Sequence, residues 1–260
     1  MVPVTRRMML QSILATAGGV SASAAGAAAQ ATAPSRAKVI VFDVNETMLD
    51  VNALGPQFER VFGDARVGQE WFSNVVLYSQ VTTIAGPYVD FGTIARASLE
   101  MTAAAHGVNL APADRDAILR GLVSLPAHTD IPDGLRALRT AGFRLVTLTN
   151  SAPAAIAQQL KNAAIDTYFE RAFSVDAVKK FKPAPDVYRL VASELHIDVS
   201  QMRLVAAHAW DVLGAMRAGC SAAFIARAGK ALYPLAEKPD IVGPTLREVA
   251  AEIIKRDTAL

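Results

Sequence analysis

Short, uninterrupted apolar runs rich in β-branched residues occupy 38–44, 144–149, 203–207 and 221–225. Runs without polar alternation predict strands buried on both faces. Between the last three, apolar residues recur at helical spacing over Ala152–Ala164 and Pro185–Leu195. Strand alternating with helix predicts an α/β fold, a Rossmann-like, doubly wound parallel sheet. After the first strand, about eighty residues pass before the next helix–strand unit, far too many for a simple crossover. Within them Pro56–Phe62, Gly68–Ala85, Phe91–His106 and Ala113–Ser124 read as amphipathic helices. The expected organisation is a core over 32–50 and 129–260, with a helical cap over 51–128 inserted above the carboxyl end of the first strand.

The amino-terminal pattern is different. Thr5-Arg6-Arg7-Met8-Met9-Leu10 precedes an uncharged stretch of Ala, Gly and Ser, and Ala29-Gln30-Ala31 supplies a small-x-small cleavage pattern. Residues 1–31 therefore resemble a twin-arginine export signal, and the expected location of the mature protein is the periplasm. Gly18 and Gly19 make the stretch weakly apolar for a span, so no stable membrane insertion is expected after cleavage.

Charge changes the picture little. The chain has 260 residues, 52% hydrophobic, and a formal charge of +2. Removing 1–31 takes away Arg6 and Arg7 and leaves a net charge of zero. No basic cluster with interleaved aromatics remains to follow a phosphate backbone, so a nucleic-acid partner is not expected. The one cysteine, Cys220, excludes an internal disulfide and a multi-thiolate metal site; it reads as a small core residue.

Candidate chemistry sits where the strands end, the place at which open α/β sheets bind ligands. Val39-Ile40-Val41-Phe42 is followed by Asp43-Val44-Asn45-Glu46-Thr47, and Leu148 by Thr149-Asn150-Ser151. Lys182-Pro183 stands just before a proline-started helix that carries Tyr188, and Val205-Ala206-Ala207 leads into His208-Ala209-Trp210-Asp211. Each alone also fits a helix cap, a turn or a solvated lysine.

The order strand-Asp-x-x-x-Thr, strand-Thr-Asn, Lys-Pro and strand-x-x-x-Asp resembles the haloacid dehalogenase superfamily over essentially the whole mature chain. Ala209-Trp210-Asp211 with Gly214-Ala215, and Lys182-Pro183 with Tyr188, narrow the likeness to the type II (S)-2-haloacid dehalogenases. Phosphatase relatives place a second acid two residues after the nucleophile. Here that residue is Asn45, whose amide cannot protonate a leaving alcohol. Ala207 stands where those relatives hold Mg²⁺ with an extra carboxylate, so neither a metal nor a cofactor is expected.

The resemblance implies that Asp43 attacks C2 of a short 2-halocarboxylate, displaces halide and forms an aspartyl ester that water hydrolyses to the 2-hydroxy acid. It implies that Lys182 keeps Asp43 ionised and that Asp211 activates water. Thr47 and Thr149 orient carboxylate oxygens or hold the substrate carboxylate, with backbone N–H groups following Asp43. The implied substrate site draws on Val44, Asn45, Thr149, Asn150, Tyr188 and His208, with Tyr188 steadying the Lys182 network.

Two departures stand out. Ala206 and His208 replace the family's Ser and Asn, and the family's cap Arg is missing, since Phe72 follows Trp71. Arg60, Arg66 or Arg96 could substitute for that Arg, or Asn74, Asn150 and aromatic edges could cradle halide. Trp71, Phe72, Tyr78 and Phe91 otherwise read as cap core. Another metal-independent hydrolase of the superfamily and a non-catalytic small-acid binder are the alternatives, and homodimer formation is left open.

Overall fold

The computed structural model describes residues 37–258; the export segment expected at 1–31 lies outside the described residues. Six strands, β1 (Val39–Phe42), β2 (Arg144–Thr149), β3 (Arg171–Ser174), β4 (Met202–Ala206), β5 (Ser221–Ile225) and β6 (Ile241–Gly243), form one sheet in the order β3-β2-β1-β4-β5-β6. Every neighbouring pair is parallel. Val39-Ile40-Val41-Phe42 is wholly buried, and β1 is a central strand, with β2 and β4 at its two edges. The order reverses between β1 and β4, and a crevice opens there at the carboxyl ends of the strands.

The helices of the cap segment are α1 (Gly55–Phe62), α2 (Val67–Ala85), α3 (Phe91–Ala105) and α4 (Pro112–Val123). The core contributes α5 (Ile131–Thr140), α6 (Pro153–Asn162), α7 (Pro185–Leu195), α8 (Ala209–Ala218) and α9 (Leu246–Thr258). Proline stands in the first turn of α1, α4, α5, α6 and α7, where its missing N–H costs no helical hydrogen bond. In the cap, α2 packs along α3, and Trp71 lies 5.3 Å from Phe58 and donates its indole N–H to the Ala95 carbonyl at 2.9 Å. Trp71, Phe72 and Phe91 are buried, but Tyr78 is 41% exposed and is not the cap-core residue that helical spacing suggested. It borders a surface groove with Thr82 of α2 and Ile94, Ala97 and Met101 of α3.

Strands β3 and β6 were not among the sequence expectations. Each is an edge strand of four or three residues with exposed positions, too short to carry a pattern. Cys220 is buried, and burial pushes its thiol up to about 12. On the far side of the sheet from the crevice mouth, Arg203 of β4 is buried and donates to Asp257 at 2.8 Å and Asp240 at 2.5 Å, fastening α9 to the strand.

One glycine decides how closely α8 approaches the chain before α7. A Cβ on Gly214 would stand 2.4 Å from Pro183 Cβ and 2.7 Å from the Tyr188 hydroxyl. Substitution of Gly214 with Ala therefore has to push α8 away from the Lys182–Pro183 segment. Gly214→Ala is expected to cost about 1–3 kcal/mol, as overpacking of a tight core does, read as a lower midpoint in urea unfolding. An unchanged midpoint would show that the segment yields freely.

Candidate active site

Three segments that end or follow strands meet at the crevice. Asp43 follows β1, where its backbone N–H donates to the Val205 carbonyl of β4 at 3.1 Å. Glu46 and Thr47 lie in the tight turn beyond, closed by Met48 and Leu49 N–H groups donating to the Val44 carbonyl. His208 stands just before α8 with its side chain turned away from the helix end, and Asp211 lies in the first turn of the helix. Lys182 arrives from the segment before α7, held by its own N–H donating to Asn150 Oδ1 at 3.1 Å.

The Lys182 ammonium is 1% exposed and stands between two carboxylates, 2.8 Å from Asp43 Oδ1 and 2.7 Å from Asp211 Oδ2. Such a charge is tolerable inside only when paired and hydrogen-bonded. Burial would lower the Lys182 pKa, but the two carboxylates raise it above the ordinary lysine value. Burial raises Asp43, yet Lys182 and His208 outweigh it and hold its carboxyl well below the usual range. Asp211 moves the other way, pushed up by burial and by the charge of Asp43, with Lys182 opposing. Asp43 is thus the ionised member, and Asp211 the one nearer to accepting a proton.

The second oxygen of Asp43 is also engaged. Thr47 Oγ1 donates to Oδ2 at 2.6 Å and itself accepts the Ala207 N–H at 2.9 Å, which fixes the direction of its proton. His208 Nδ1 lies 3.1 Å from the same Oδ2, and Nε2 lies 2.8 Å from Glu46 Oε2. A carboxylate facing each ring nitrogen calls for N–H on both. Burial lowers the His208 pKa, but those two partners carry it up to about 9. The imidazole also stacks on Trp210, with ring centroids 4.9 Å apart. Glu46 Oε1 accepts from Lys230 Nζ at 2.7 Å, and burial raises its carboxyl less than His208 and Lys230 lower it.

The other expected residues are brought near but do different work. Tyr188 is 1% exposed and lies behind Asp211, donating its hydroxyl to Oδ1 at 2.6 Å, so it supports the Lys182 network and does not face the crevice. Thr149 Oγ1 accepts from Ser151 N–H at 3.1 Å in a buried turn, an interaction that leaves its own hydroxyl proton to be donated. Asn45 is clamped, donating to Ser151 Oγ at 3.3 Å and accepting from Gln159 Nε2 at 2.9 Å. Asn150 spends its oxygen on the Lys182 backbone. Among the described residues, the N–H groups of Val44 and Asn45 take part in none of the turn's hydrogen bonds.

The three arginines offered as replacements for a cap Arg do not reach this network. Arg60 pairs with Asp114, Arg66 with Asp64 and Arg96 with Asp116, all on the cap surface. Cap aromatics do approach it, since Phe91 lies 6.1 Å and Tyr88 5.0 Å from Phe181, the residue before Lys182. Two clefts flank the site. One of about 540 Å³ is bordered by Glu46, Gln69, His128, Arg227 and Lys230; another of about 320 Å³ by Phe91, Leu122, Ser151 and Gln159. Among the described residues no three His, Cys, Asp or Glu side chains are grouped to hold a metal ion. Between Asp43 and Asp211 the space is filled by the Lys182 ammonium.

Glu46, Ser151, Gln159 and Lys230 are the participants that sequence reasoning missed. Glu46 left one signal, an acid three residues beyond the candidate nucleophile inside the same turn. Gln159 sits on an otherwise apolar helix face between Ile156 and Leu160, an unusual place for an amide.

Several known proteins are similar to this chain over most of its length. An (S)-2-haloacid dehalogenase of Pseudomonas sp. (strain YL) is 28% identical over 214 residues, covering 82% of this chain and 92% of its own length. One from Xanthobacter autotrophicus is 30% identical over 193 residues, covering 73% and 75%. The solved L-2-haloacid dehalogenase from Xanthobacter autotrophicus superposes with a TM-score of 0.78 at 27% identity, covering 84% of this chain and 98% of that one. The same enzyme with chloropropionic acid covalently bound matches equally well, at 26% identity and a TM-score of 0.78. The family profile of haloacid dehalogenase-like hydrolases matches residues 37–219, and this chain belongs to that family.

Proposed function

We propose that the chain hydrolyses short (S)-2-haloalkanoic acids to 2-hydroxy acids through an ester on Asp43. The observation that carries this is a buried carboxylate held ionised by a buried ammonium at the end of a central strand. The covalent chloropropionic acid of the Xanthobacter enzyme supports it.

Asp43 Oδ1 takes one hydrogen bond and Oδ2 takes two, so Oδ1 is the freer nucleophile. Its attack on C2 forms the O–C bond as the C–X bond breaks, and halide leaves with the bonding pair. Halide needs no proton, which suits a site where Asn45 replaces the acid of a phosphatase. The substrate carboxylate fits the N–H groups of Val44 and Asn45. Water then adds to Cγ of Asp43 and passes a proton to Asp211. When the tetrahedral adduct collapses, the Cγ–Oδ1 bond breaks and Oδ1 departs with the substrate carbon. Lys182, 2.8 Å from Oδ1, protonates that alkoxide and recovers its proton from Asp211 at 2.7 Å. Asp43 is left as the acid with one oxygen from water, and the cycle closes when it loses that second water proton to solvent as halide and the hydroxy acid leave.

Export is proposed as well. Arg6 and Arg7 ahead of a weakly apolar Ala-, Gly- and Ser-rich stretch, with Ala29-Gln30-Ala31 following, support delivery to the periplasm by a twin-arginine route.

A screen of short 2-haloacids is expected to release halide at the same rate with and without EDTA. A Mg²⁺ requirement with phosphate-ester hydrolysis would place the chain among the phosphatases instead. In H₂¹⁸O a single turnover should label the Asp43 carboxylate and leave the first hydroxy acid unlabelled; label in the first product would remove the ester intermediate. Asp43→Asn should cut turnover by about 10⁴-fold or more while the fold survives, because the amide matches the carboxylate in size. Arg6→Lys with Arg7→Lys should strand the precursor inside the cell, as fractionation would read. A wild-type protein found wholly cytoplasmic at full length would refute export.

A further inference from the structure

The site holds a buried pair that the steps above do not use. Glu46 is 7% exposed and adopts φ +60°, the left-handed region that a residue with a long side chain enters only at a cost. That conformation sends its carboxylate back over the turn to His208 Nε2 at 2.8 Å, with Lys230 behind it at 2.7 Å. A strained backbone that aims a buried acid at a buried imidazole, itself 3.1 Å from the nucleophile, is a feature of the site and not of the scaffold.

The chemistry of Asp43 Oδ2 says what the pair is for. Two donors converge on this oxygen, Thr47 Oγ1 at 2.6 Å and His208 Nδ1 at 3.1 Å, and Thr47 cannot turn away because it accepts the Ala207 N–H. An alkylated ester oxygen is a poor acceptor, so the donors keep their partner only if alkylation occurs at Oδ1 and Oδ2 remains the carbonyl. When water adds to Cγ, the C=O π pair moves onto Oδ2, and donors already in place there stabilise the charge without reorganisation. We propose that His208 is a catalytic residue whose Nδ1–H, with the Thr47 hydroxyl, binds the oxyanion on Oδ2 during ester hydrolysis, and that Glu46 is the positioning residue that holds the imidazole there as a cation.

This deepens the dehalogenase reading and rests on it. The charged groups around the ring are Asp43 and Glu46 in contact, with Lys182 on the other oxygen of Asp43 and Lys230 on the other oxygen of Glu46. The imidazole is cationic below about pH 9 and loses its proton above it. A cation that donates to an oxyanion makes hydrolysis fall as pH rises through that value; a neutral imidazole acting as a base would make it rise.

The test is quenched-flow mass spectrometry of full-length enzyme with 2-chloropropionate, following formation and decay of the Asp43 adduct across pH 6–10.5. In the wild type, adduct decay should slow above about pH 9 while formation changes less. In His208→Phe, which keeps a ring on Trp210 but has no donor, decay should fall by about 10²-fold, the usual loss for one oxyanion donor, with formation within about threefold, so that adduct accumulates. Glu46→Gln should slow decay about tenfold and move its alkaline limb to lower pH, since one of the two carboxylates that hold the proton is gone. Decay that accelerates through pH 9, or formation and decay that fall together in both variants, would overturn the assignment. A wild-type enzyme that forms no adduct on Asp43 would overturn the dehalogenase reading and this inference with it. The wild-type profile decides the sign without depending on how either variant folds.

Discussion

The Lys182 ammonium lies inside the protein with a carboxylate on either side, and the site is arranged around keeping it there. An isolated charge in such a place would lose several kcal/mol of hydration, so each partner has to be present and in reach. Asp43 and Asp211 supply the charge, Tyr188 satisfies the second oxygen of Asp211, and Asn150 fixes the backbone that presents the lysine. The same arrangement holds Asp43 ionised and leaves Asp211 nearer to taking a proton. Stability and reactivity are here two readings of one electrostatic balance.

A second balance is attached to the first through Asp43. His208 joins Asp43 to Glu46, and Glu46 borders a cleft with Lys230. Charges therefore alternate in sign from Asp211 through Lys182, Asp43, His208 and Glu46 to Lys230. Each is stabilised by its neighbours, so substitution of any one alters the proton affinity of the next.

Much of this was legible in the sequence because it depends on local patterns. Strands β1, β2, β4 and β5 are apolar runs, and the residues after β1, β2 and β4 are the polar ones that a switch-point crevice needs. Asp43, Thr47, Lys182 and Asp211 announce themselves by standing at those ends. Thr149 has the same signature and in addition accepts an N–H of its own loop, since a hydroxyl two residues from a free N–H caps a turn as readily as it meets a ligand. Glu46 was illegible for the opposite reason. Its role depends on a left-handed backbone and on a histidine 162 residues away, and neither has a periodicity. The arginines of the cap were misjudged because composition cannot tell an inward charge from one already paired at the surface.

The position of β1 in the sheet has a consequence for how the chain is made. The strand that leads into Asp43 is the earliest of the sheet to be synthesised, yet it pairs with β2, which begins at Arg144, and with β4, which begins at Met202. At roughly 5–20 residues per second on a ribosome, Val-Ile-Val-Phe has no native neighbour for many seconds. Through that interval a short, uncharged, β-prone run lies open to other chains. Asp43 at its end then has a use while the chain is still being made, as a charge that hinders the run from stacking on its like until the rest of the sheet arrives.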